Sequence, residues 1–407
     1  MVDTMRLCIL TEYFDNTGST PTILSNLTQY LRETYPQLSV DVIASRNLYR
    51  GDARLPSREV QNGINVIRLS TPKSNRPSTL LRLTVGMIFT SAVARRLLTH
   101  GRYDLVFVVT NPPSLPIAAQ LFARIRGVPF VYLIHDLYPD VATVLGVLSP
   151  THPIALSLKK LQRSWLHSAA KVVVLGRCMR DHLREHYELP VERIEVITNW
   201  CDPDEVVPNA TSRFREQRQL DGVTVLYAGN FGQYQDFDDV LDAAALLRDV
   251  EPHISFVLVG GGAREEHIKH RVLSEELHNV KVFPLVPVSE YPDVLAAADI
   301  ALVVLAKGAE GVGVPSKFYN VLASGRPTIA VVEANSEVAL VLNEDNCGVQ
   351  VAPGNPDRLA QVVRDLAGDA ERRKTLGHNA RQALLQKYTL QRVGDRFWNV
   401  FSDVAKR

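Results

Sequence analysis

Short apolar runs alternate along the whole chain with longer helix-like segments. In the first half the runs RLCILT, VDVIA, DLVFVVT, PFVYLI and KVVVLG are rich in β-branched residues, which is typical of buried strands. Helical patterns lie between most of them, for example over residues 20–34 and 117–126. In the second half VTVLYAG, ISFVLVGGG, NVKVFPL, DIALVVLA and PTIAVV repeat this arrangement, with helices predicted over residues 238–248, 263–277 and 291–298.

These runs are continuously apolar, which predicts parallel sheets that are covered by helices on both faces. Two such sets in one chain predict an α/β protein with two doubly wound, Rossmann-like domains facing across a cleft. Turn residues accumulate over residues 197–215, where the first set of strands ends. We therefore place the first domain at residues 1–198 and the second at residues 199–388.

A final amphipathic segment follows the second domain. The pattern predicts a helix over residues 390–404, with Phe397, Trp398 and Phe401 as aromatic anchors. The sequence leaves open which domain this helix contacts, and residues 389–407 can pack back onto the first.

Composition narrows the class of protein. The chain has 407 residues, of which 46% are apolar, so each domain can bury a core. The four cysteines are far apart and form no CxxC pair, which argues against a zinc site or a disulfide framework and favours a reducing, cytoplasmic setting. The opening MRLCILT reads as a strand, so we expect no signal peptide, and the longest uncharged apolar stretch, residues 83–94, is too short for a membrane span.

Charge is distributed unevenly between the two halves. Residues 1–200 carry 23 Lys and Arg against 15 Asp and Glu, whereas the remaining residues carry 22 against 29. A basic half on a nearly neutral protein indicates an anionic partner, such as a membrane surface, unless the charges merely cluster on a solvated face. The basic stretches lack interleaved aromatic residues or a recognition motif, so we expect no nucleic-acid partner.

Glycine-bearing loops follow three predicted strands of the second half. They are YAGNFGQYQ, LVGGGAREE and GVGVPSKFYNVLASGRP, the last with Lys317 at the start of a predicted helix. Because parallel strands end at one edge of a sheet, these loops should converge there and bind an anion such as a phosphate. The alternative is a tight loop with a solvent-exposed lysine. Glu265 replaces the third glycine of a dinucleotide fingerprint, and no P-loop motif occurs.

Two loops of the first half carry candidate chemistry. TEYFDNTGSTPT delivers Gly18 to a helix start, which is an ordinary turn as well as an anion site. HDLYPDVA places His135 and Asp136 where an apolar strand ends, with Asp140 four residues on. These groups either satisfy each other structurally or contact a substrate. No triad or metal-ligand spacing is present, so we expect no metal and no cofactor.

These motifs, together with TNPPSLPIAA, NWCD and GVQVAPGNPDRLA, resemble the retaining GT-B glycosyltransferases of family 4. The nearest likeness is to bacterial surface-polysaccharide enzymes that include fucosamine transferases. The resemblance implies that Ser316, Lys317 and the loop from Asn230 to Gln233 hold the diphosphate of a nucleotide sugar, and that His135 and Asp136 approach the transferred sugar. The implied catalytic residues are His135, Asp136 and Lys317. The implied donor-binding residues are Gly18, Gly229, Asn230, Gly232, Gln233, Gly260, Phe283, Leu285, Glu310, Val312, Gly313, Val314, Ser316, Lys317 and Asn320.

The chain departs from the pattern of many relatives at two places. Their Glu-x7-Glu pair is replaced by Val312 and Asn320, although Glu310 lies two residues before the first position. Gln233 and Gln235 stand where many relatives place Arg and Lys, which leaves Lys317 as the main cation, helped by helix N-termini.

The resemblance implies a metal-independent, hexosyl- or N-acetylhexosaminyl-type transferase that uses a nucleotide-diphosphate sugar, with UDP favoured. Its acceptor would be a glycan, in this branch often linked to polyprenyl diphosphate at the inner face of the membrane. A helix predicted over residues 79–98 could lie on that anionic surface, or pack in the core with its arginines extended. A sugar-nucleotide 2-epimerase and a non-catalytic partner subunit remain as alternatives.

Overall fold

The computed structural model describes residues 4–406 except 16–17, 50, 52, 73–78 and 210. It divides the chain into two compact units. The first unit comprises Met1–Leu175, Arg180–Ile197 and Leu390–Arg407, and the second comprises Gly176–Met179 and Thr198–Thr389. The final helix therefore belongs with the first unit.

The first unit is built on an eight-stranded sheet with the order β3-β4-β2-β1-β5-β6-β7-β8, in which only the β3–β4 pair is antiparallel. Its strands are β1 (Met5–Leu10), β2 (Leu38–Ser45), β3 (Arg58–Gln61), β4 (Ile64–Leu69), β5 (Leu105–Val109), β6 (Phe130–Ile134), β7 (Lys171–Val174) and β8 (Ile194–Val196). Its helices are α1 (Ser19–Thr34), α2 (Thr79–His100), α3 (Pro116–Arg126), α4 (Asp140–Val144), α5 (Pro153–Ser168), most of α6 (Arg177–Tyr187) and α15 (Leu390–Ala405).

The second unit has a six-stranded, fully parallel sheet with the order β11-β10-β9-β12-β13-β14. Its strands are β9 (Val223–Asn230), β10 (Ile254–Gly261), β11 (Val280–Phe283), β12 (Ile300–Val304), β13 (Thr328–Val331) and β14 (Gly348–Val351). Its helices are α7 (Arg213–Gln217), α8 (Asp238–Leu247), α9 (Glu265–Ser274), α10 (Tyr291–Ala296), α11 (Phe318–Ala323), α12 (Glu337–Glu344), α13 (Pro356–Gly368) and α14 (Ala370–Lys387).

Every apolar run named in the sequence forms a strand, and the prediction of two α/β units with parallel sheets is confirmed. The strands β5, β6 and β12 are buried along their whole length, because helices cover both faces of each sheet. Each sheet reverses its strand order at one point, between β1 and β5 and between β9 and β12. In open parallel sheets, loops at the carboxyl ends of the strands that flank such a point form the ligand site.

Helix α15 packs on the first unit through aromatic and polar contacts. Asp395 accepts hydrogen bonds from the hydroxyls of Tyr30 and Tyr35, at 2.7 and 2.6 Å. Trp398 stacks on Tyr35 with 4.2 Å between the ring centroids. Phe401, one of the predicted anchors, meets Phe107 of β5 edge to face. The chain therefore returns to the first sheet after completing the second unit.

A close contact between two glycines positions α11, the helix that follows Lys317. Gly325 ends this segment with a φ of +66°, and a Cβ added to Gly377 of α14 would overlap the Gly325 carbonyl oxygen. Arg381, one turn further along α14, donates to the carbonyl oxygen of Ala323 at 2.8 Å. Helix α14 thus supports the back of α11 and satisfies its last carbonyl groups.

We expect Gly377→Ala to destabilise the protein by about 1–3 kcal/mol, because the new methyl group forces α11 and α14 apart. Helix propensity alone predicts the opposite sign, a gain of up to about 1 kcal/mol. Gly368→Ala is the matched control, since Gly368 also lies in a helix and a Cβ there meets nothing within 4 Å. Urea unfolding of both variants measures the difference, and equal stabilities would contradict the packing described.

Candidate active site

The three predicted loops of the second unit follow adjacent strands, β10, β9 and β12, and lie at one edge of the sheet. The amide of Phe231 donates to the Gly261 carbonyl oxygen at 3.0 Å, and the Arg264 amide donates to the Phe231 carbonyl oxygen at 2.9 Å. On the other side, the Ala306 amide donates to the Tyr234 carbonyl oxygen at 2.5 Å. These bonds join the loops after β9, β10 and β12 into one surface.

Glycine is required at two positions of this surface. A Cβ on Gly260 would overlap the Gly229 carbonyl oxygen of the neighbouring strand. Gly262 has a φ of +147°, and a Cβ there would lie 2.6 Å from the Phe231 carbonyl oxygen. Side chains are therefore excluded at the end of β10, whereas the exposed residues of the loop after β9 are Asn230 and Gln233.

Lys317 lies beside this surface with its ammonium 5.3 Å from the centroid of the Tyr291 ring, a cation–π distance. The Tyr291 hydroxyl donates to the Ala228 carbonyl oxygen of β9 at 3.1 Å. This pair of contacts connects the lysine to the end of β9, although Lys317 follows β12 in the chain. Ser316, one residue before it, is half-buried.

Acidic residues in the first turns of two helices disfavour the predicted binding of phosphate at helix N-termini. Helix α8 has Asp238 and Asp239 in its first turn, and the Asp238 amide is already bonded to the Asp236 carboxylate at 3.1 Å. Helix α9 likewise begins with Glu265 and Glu266. These carboxylates occupy the positive ends of the two helices, and α11 is only six residues long. The starts of α8 and α9 are therefore poorly suited to binding an anion.

In the loop before Lys317, the predicted donor-binding residues Val312 and Glu310 differ in what they can offer a ligand. The Val312 side chain is 1% exposed and belongs to the core, so that position can offer only backbone groups to a ligand. Glu310 is half-buried, and its Oε2 atom is buried with no hydrogen-bond partner among the described residues. A buried carboxylate oxygen without a donor is costly unless a ligand supplies one. Asn320 is half-buried on α11; Gly313 and Val314 are half-buried beside Lys317.

The end of β11 and the segment after it, which carry the implied donor-binding residues Phe283 and Leu285, are anchored by aromatic packing. Phe283 meets Phe214 edge to face at 5.4 Å, and the Arg218 guanidinium lies 5.2 Å from the Phe283 ring centroid. Leu285 is exposed, and its side chain is close to Gly261 at the end of β10. The ring of Phe283 is thus used within the protein, while the backbone after it borders the loops described above.

In the first unit, His135 and Asp136 follow β6 as the sequence indicated. The His135 amide donates to the Thr110 hydroxyl at 3.0 Å, whereas its Nε2 atom is buried with no partner among the described residues. Burial lowers the pKa of the His135 ring to about 4. Asp136 keeps an exposed surface, yet the surrounding protein atoms withdraw enough water to raise the pKa of its carboxyl to about 6.

Asp140 and Gly18 have structural explanations. Asp140 is buried and accepts hydrogen bonds from the Tyr187 hydroxyl and from His182 Nε2, the latter at 3.0 Å. Although burial opposes its ionisation, these two bonds hold the pKa of Asp140 below its ordinary value. Gly18 precedes α1, and the ring of Tyr49 fills the space that a Cβ would need. Asp140 therefore fixes α4 against α6, and Gly18 lets Tyr49 cover the start of α1.

Two residues of the second-unit surface were not singled out from the sequence. Tyr291 opens α10 and reaches Lys317 only through the fold, so no local pattern points to it. Arg264 follows the triple glycine and Ala263, and its amide donates to the Phe231 carbonyl oxygen of the loop after β9. Its position directly after GGGA was a readable signal.

We expect the His135 ring to titrate near pH 4 in the folded protein, far below the 6.5 of an ordinary histidine. Between these values the unfolded chain binds a proton that the folded chain does not, so this residue lowers stability as the pH falls from 6.5 toward 4. NMR titration of the histidine rings, with His135→Asn to assign the signal, measures the midpoint. A midpoint near 6.5 would show that the ring is hydrated and would contradict this prediction. The loss of stability at acid pH should then be the same in the parent protein and in His135→Asn.

Comparison with known proteins agrees with this geometry. A family model for a glycosyl transferase 4-like domain matches residues 21–200, and a model for glycosyl transferases group 1 matches residues 209–383. The probable glycosyltransferase WbjE of Pseudomonas aeruginosa is 31% identical over 325 residues, which cover 78% of this chain and 79% of the relative. The chain belongs to glycosyltransferase family 4. The resemblance given by its motifs is thereby confirmed, and the enzyme class with it.

A second relative and a solved structure extend the comparison. The putative colanic acid biosynthesis glycosyl transferase WcaI of Escherichia coli is 29% identical over 306 residues, covering 73% of this chain and 74% of the relative. HepE of Anabaena, solved in complex with UDP-glucose, superposes with a TM-score of 0.74 at 15% identity, covering 98% of this chain and all of HepE. This similarity shows the fold, which is GT-B.

Membrane-spanning helices and metal-binding clusters are both absent from the part of the chain that the structure describes. No helix among them is long and apolar enough to cross a bilayer. No group of three or more His, Cys, Asp or Glu side chains in the same part of the chain is arranged to hold a metal ion.

Proposed function

We propose that this family 4 glycosyltransferase takes a sugar from a UDP-sugar and transfers it, with retention of anomeric configuration, to a polyprenyl-diphosphate-linked glycan during surface-polysaccharide synthesis. The sugar is a hexose or an N-acetylhexosamine. The observation that carries the proposal is the edge at the ends of β10, β9 and β12, where the three loops are bonded to one another and Lys317 contacts the Tyr291 ring that is bonded to β9. HepE binds UDP-glucose on the same fold, and WcaI acts in colanic acid biosynthesis, which supports the donor and the pathway class.

The diphosphate is the part of the donor that this surface fits best. Side chains are excluded at Gly260 and Gly262 beside the loop after β9. The Gly232 amide of that loop donates to Gln235 Oε1 at 3.0 Å, so a phosphate oxygen binds this amide by replacing the Gln235 side chain. Lys317 supplies a positive charge that lies against the ring of Tyr291. The acidic first turns of α8 and α9 keep the anion near this cation and away from the neighbouring helix starts.

The positive charge at this edge can stabilise the transition state in which the bond between the sugar and the diphosphate breaks. As the sugar–phosphate bond lengthens, negative charge develops on the diphosphate and positive charge on the sugar ring. A cation held beside the diphosphate stabilises that state, a contribution of about 3 kcal/mol per group in comparable anion sites. In this proposal side-chain cations meet the diphosphate charge, so no metal ion is required.

Each unit carries a buried polar atom without a hydrogen-bond partner among the described residues, Glu310 Oε2 in the second unit and His135 Nε2 in the first. The unpartnered Oε2 atom of Glu310 can accept a hydrogen bond from a sugar hydroxyl, a role that Val312 at the family's usual position cannot fill. His135 is neutral at physiological pH because its pKa is about 4, so its buried Nε2 atom can exchange hydrogen bonds without adding charge. Asp136, ionised above pH 6, supplies a carboxylate for the developing positive charge on the sugar.

We expect Lys317→Ala to lower the rate of sugar transfer by about a hundredfold to a thousandfold, because the developing charge on the diphosphate loses its fixed cation. Lys307→Ala is the matched control, since Lys307 is exposed in the same loop after β12 and should be dispensable. Transfer from UDP-sugars is measured with and without EDTA, and circular dichroism checks that both variants fold.

Three results would refute parts of this proposal. Equal activity of the two lysine variants would remove Lys317 from the mechanism. Loss of activity on chelation would show that a metal ion meets the diphosphate charge. Tight binding of UDP-sugars without turnover on any lipid-linked acceptor would favour a non-catalytic, donor-binding role.

A further inference from the structure

Helices α2, α3 and α5 pack side by side in the first unit. The Arg126 guanidinium at the end of α3 donates to the Leu98 carbonyl oxygen of α2 at 2.6 Å. The buried Gln120 side chain of α3 donates to the hydroxyls of Ser164 and Ser168 on α5, at 2.9 and 2.7 Å. These contacts make the three helices one continuous layer, which we call the basic helical layer.

The charges of this layer all have one sign. Helices α2, α3 and α5 contain no Asp or Glu. Their basic residues are Arg82, Arg95, Arg96, Arg124, Arg126, Lys159, Lys160 and Arg163. Arg163 is paired with Glu188, which lies just after α6, so the other cations carry most of the field. A surface of this composition attracts an anionic partner over a distance of about 10 Å at moderate salt.

Apolar side chains project outward between these cations. In α5 the exposed fractions of Ile154, Leu158 and Leu161 are 57%, 40% and 47%, and their spacing places them along one stripe of the helix. In α2, Met87 and Ile88 are also exposed. An outward apolar stripe flanked by lysines is the opposite of a core-packed amphipathic helix and is typical of helices that lie in a membrane interface.

The position of this stripe relates it to the candidate site. Helix α5 follows strand β6 in a parallel sheet, so it begins at the carboxyl edge where His135 and Asp136 lie. Ile154 is in the first turn of α5, and Met87 lies in the first half of α2. The exposed apolar residues therefore lie toward the end of the first unit at which a lipid-linked acceptor would arrive.

Helix α2, which the sequence predicted either to lie on an anionic surface or to pack in the core, uses one face for core packing. Its side chains Val85, Phe89, Val93 and Leu97 are at most 5% exposed, so one face of this helix packs in the core. Only the opposite face, with Met87 and Ile88, is available to a partner. Helix α5 was not singled out from the sequence, and its exposed apolar residues span as many positions as Leu81, Leu83, Met87 and Ile88 of α2.

We propose that the basic helical layer binds an anionic lipid bilayer, with the apolar stripe of α5 inserted among the headgroups. A second copy of this chain fits poorly, because two identical layers would face each other with like charges. The inference deepens the proposed function by naming the surface that brings the enzyme to a membrane-held acceptor, and it rests on that proposal for its purpose. Its test does not require catalysis.

The test uses an environment-sensitive dye on the full chain. The four native cysteines are buried, so a Leu161→Cys variant offers one exposed thiol for labelling. Leu246→Cys is the matched control, because Leu246 is 48% exposed but lies on α8 of the second unit. Labelled proteins are mixed with phosphatidylcholine vesicles that contain or lack phosphatidylglycerol, at low and high salt.

We expect a blue shift of the dye at position 161, and none at position 246, only with the anionic vesicles and mainly at low salt. Lys160→Glu in the unlabelled protein should weaken vesicle binding more than fivefold, since each cation near such a surface contributes about a factor of five. Lys374→Glu, at an exposed lysine of α14, should leave binding unchanged. No shift at position 161, or equal shifts at both positions, would overturn the proposal.

Two further outcomes separate this inference from the proposed function. A blue shift without vesicles, together with a dimer in sedimentation, would show that a second copy covers the layer and would overturn the membrane assignment. Sugar transfer to a detergent-solubilised acceptor should be the same for Lys160→Glu and the parent. A chain that transfers sugar but ignores vesicles refutes the surface alone, and a chain that binds vesicles but transfers nothing refutes the enzyme function alone.

Discussion

The close approach of two neighbouring strands at Gly229 and Gly260 is the constraint on which the candidate site depends. No side chain fits between β9 and β10 at that level, and the chain after β10 continues with Gly261 and Gly262. The hydrogen bonds from Phe231 to Gly261 and from Arg264 to Phe231 then hold the two loops together. A residue with a Cβ at Gly260 would separate the strands and the two loops that follow them.

The cation beside this surface is held by the fold and not by its own loop. Lys317 follows β12, but Tyr291, the ring it lies against, precedes β12 and bonds to the carbonyl of Ala228 in β9. A lysine is flexible, and fixing it before the donor binds reduces the entropy that binding would otherwise lose. The contact between α11 and α14 at Gly377 has the same consequence for the backbone on which Lys317 stands.

Most of the fold followed from local pattern, because each buried strand is a short apolar run bounded by turns. The missed strands are β3, β4, β8 and β14. The first, at Arg58–Gln61, forms a polar sheet edge, and β8 and β14 have one fully buried residue each. Strand β4 is mostly buried, but Asn65 and Arg68 interrupt its apolar run. The three loops and Lys317 were found because strand ends in a parallel sheet share an edge. Tyr291 could not be found in this way, since its contact with Lys317 exists only after tertiary packing.

Two acidic pairs near the candidate site are apparent in the sequence but did not enter the prediction. The Asp pair that opens α8 and the Glu pair that opens α9 already occupy the helix starts that were expected to help bind phosphate. The burial of Val312 could not be predicted, because a valine between two glycines does not show whether its side chain faces the core or a ligand. Local composition therefore predicted which strand ends lie at one edge better than which side chains are buried there.

Hydrogen–deuterium exchange of the full chain with and without UDP is the most direct test of the central claim. The account predicts slower exchange in the segments after β9, β10 and β12, around Asn230, Gly262 and Lys317, and unchanged exchange in the core strands. It also predicts the same protection in the presence of EDTA. Unaltered exchange in those three segments at saturating UDP, or protection confined to the first unit, would contradict the assignment of this edge as the donor site.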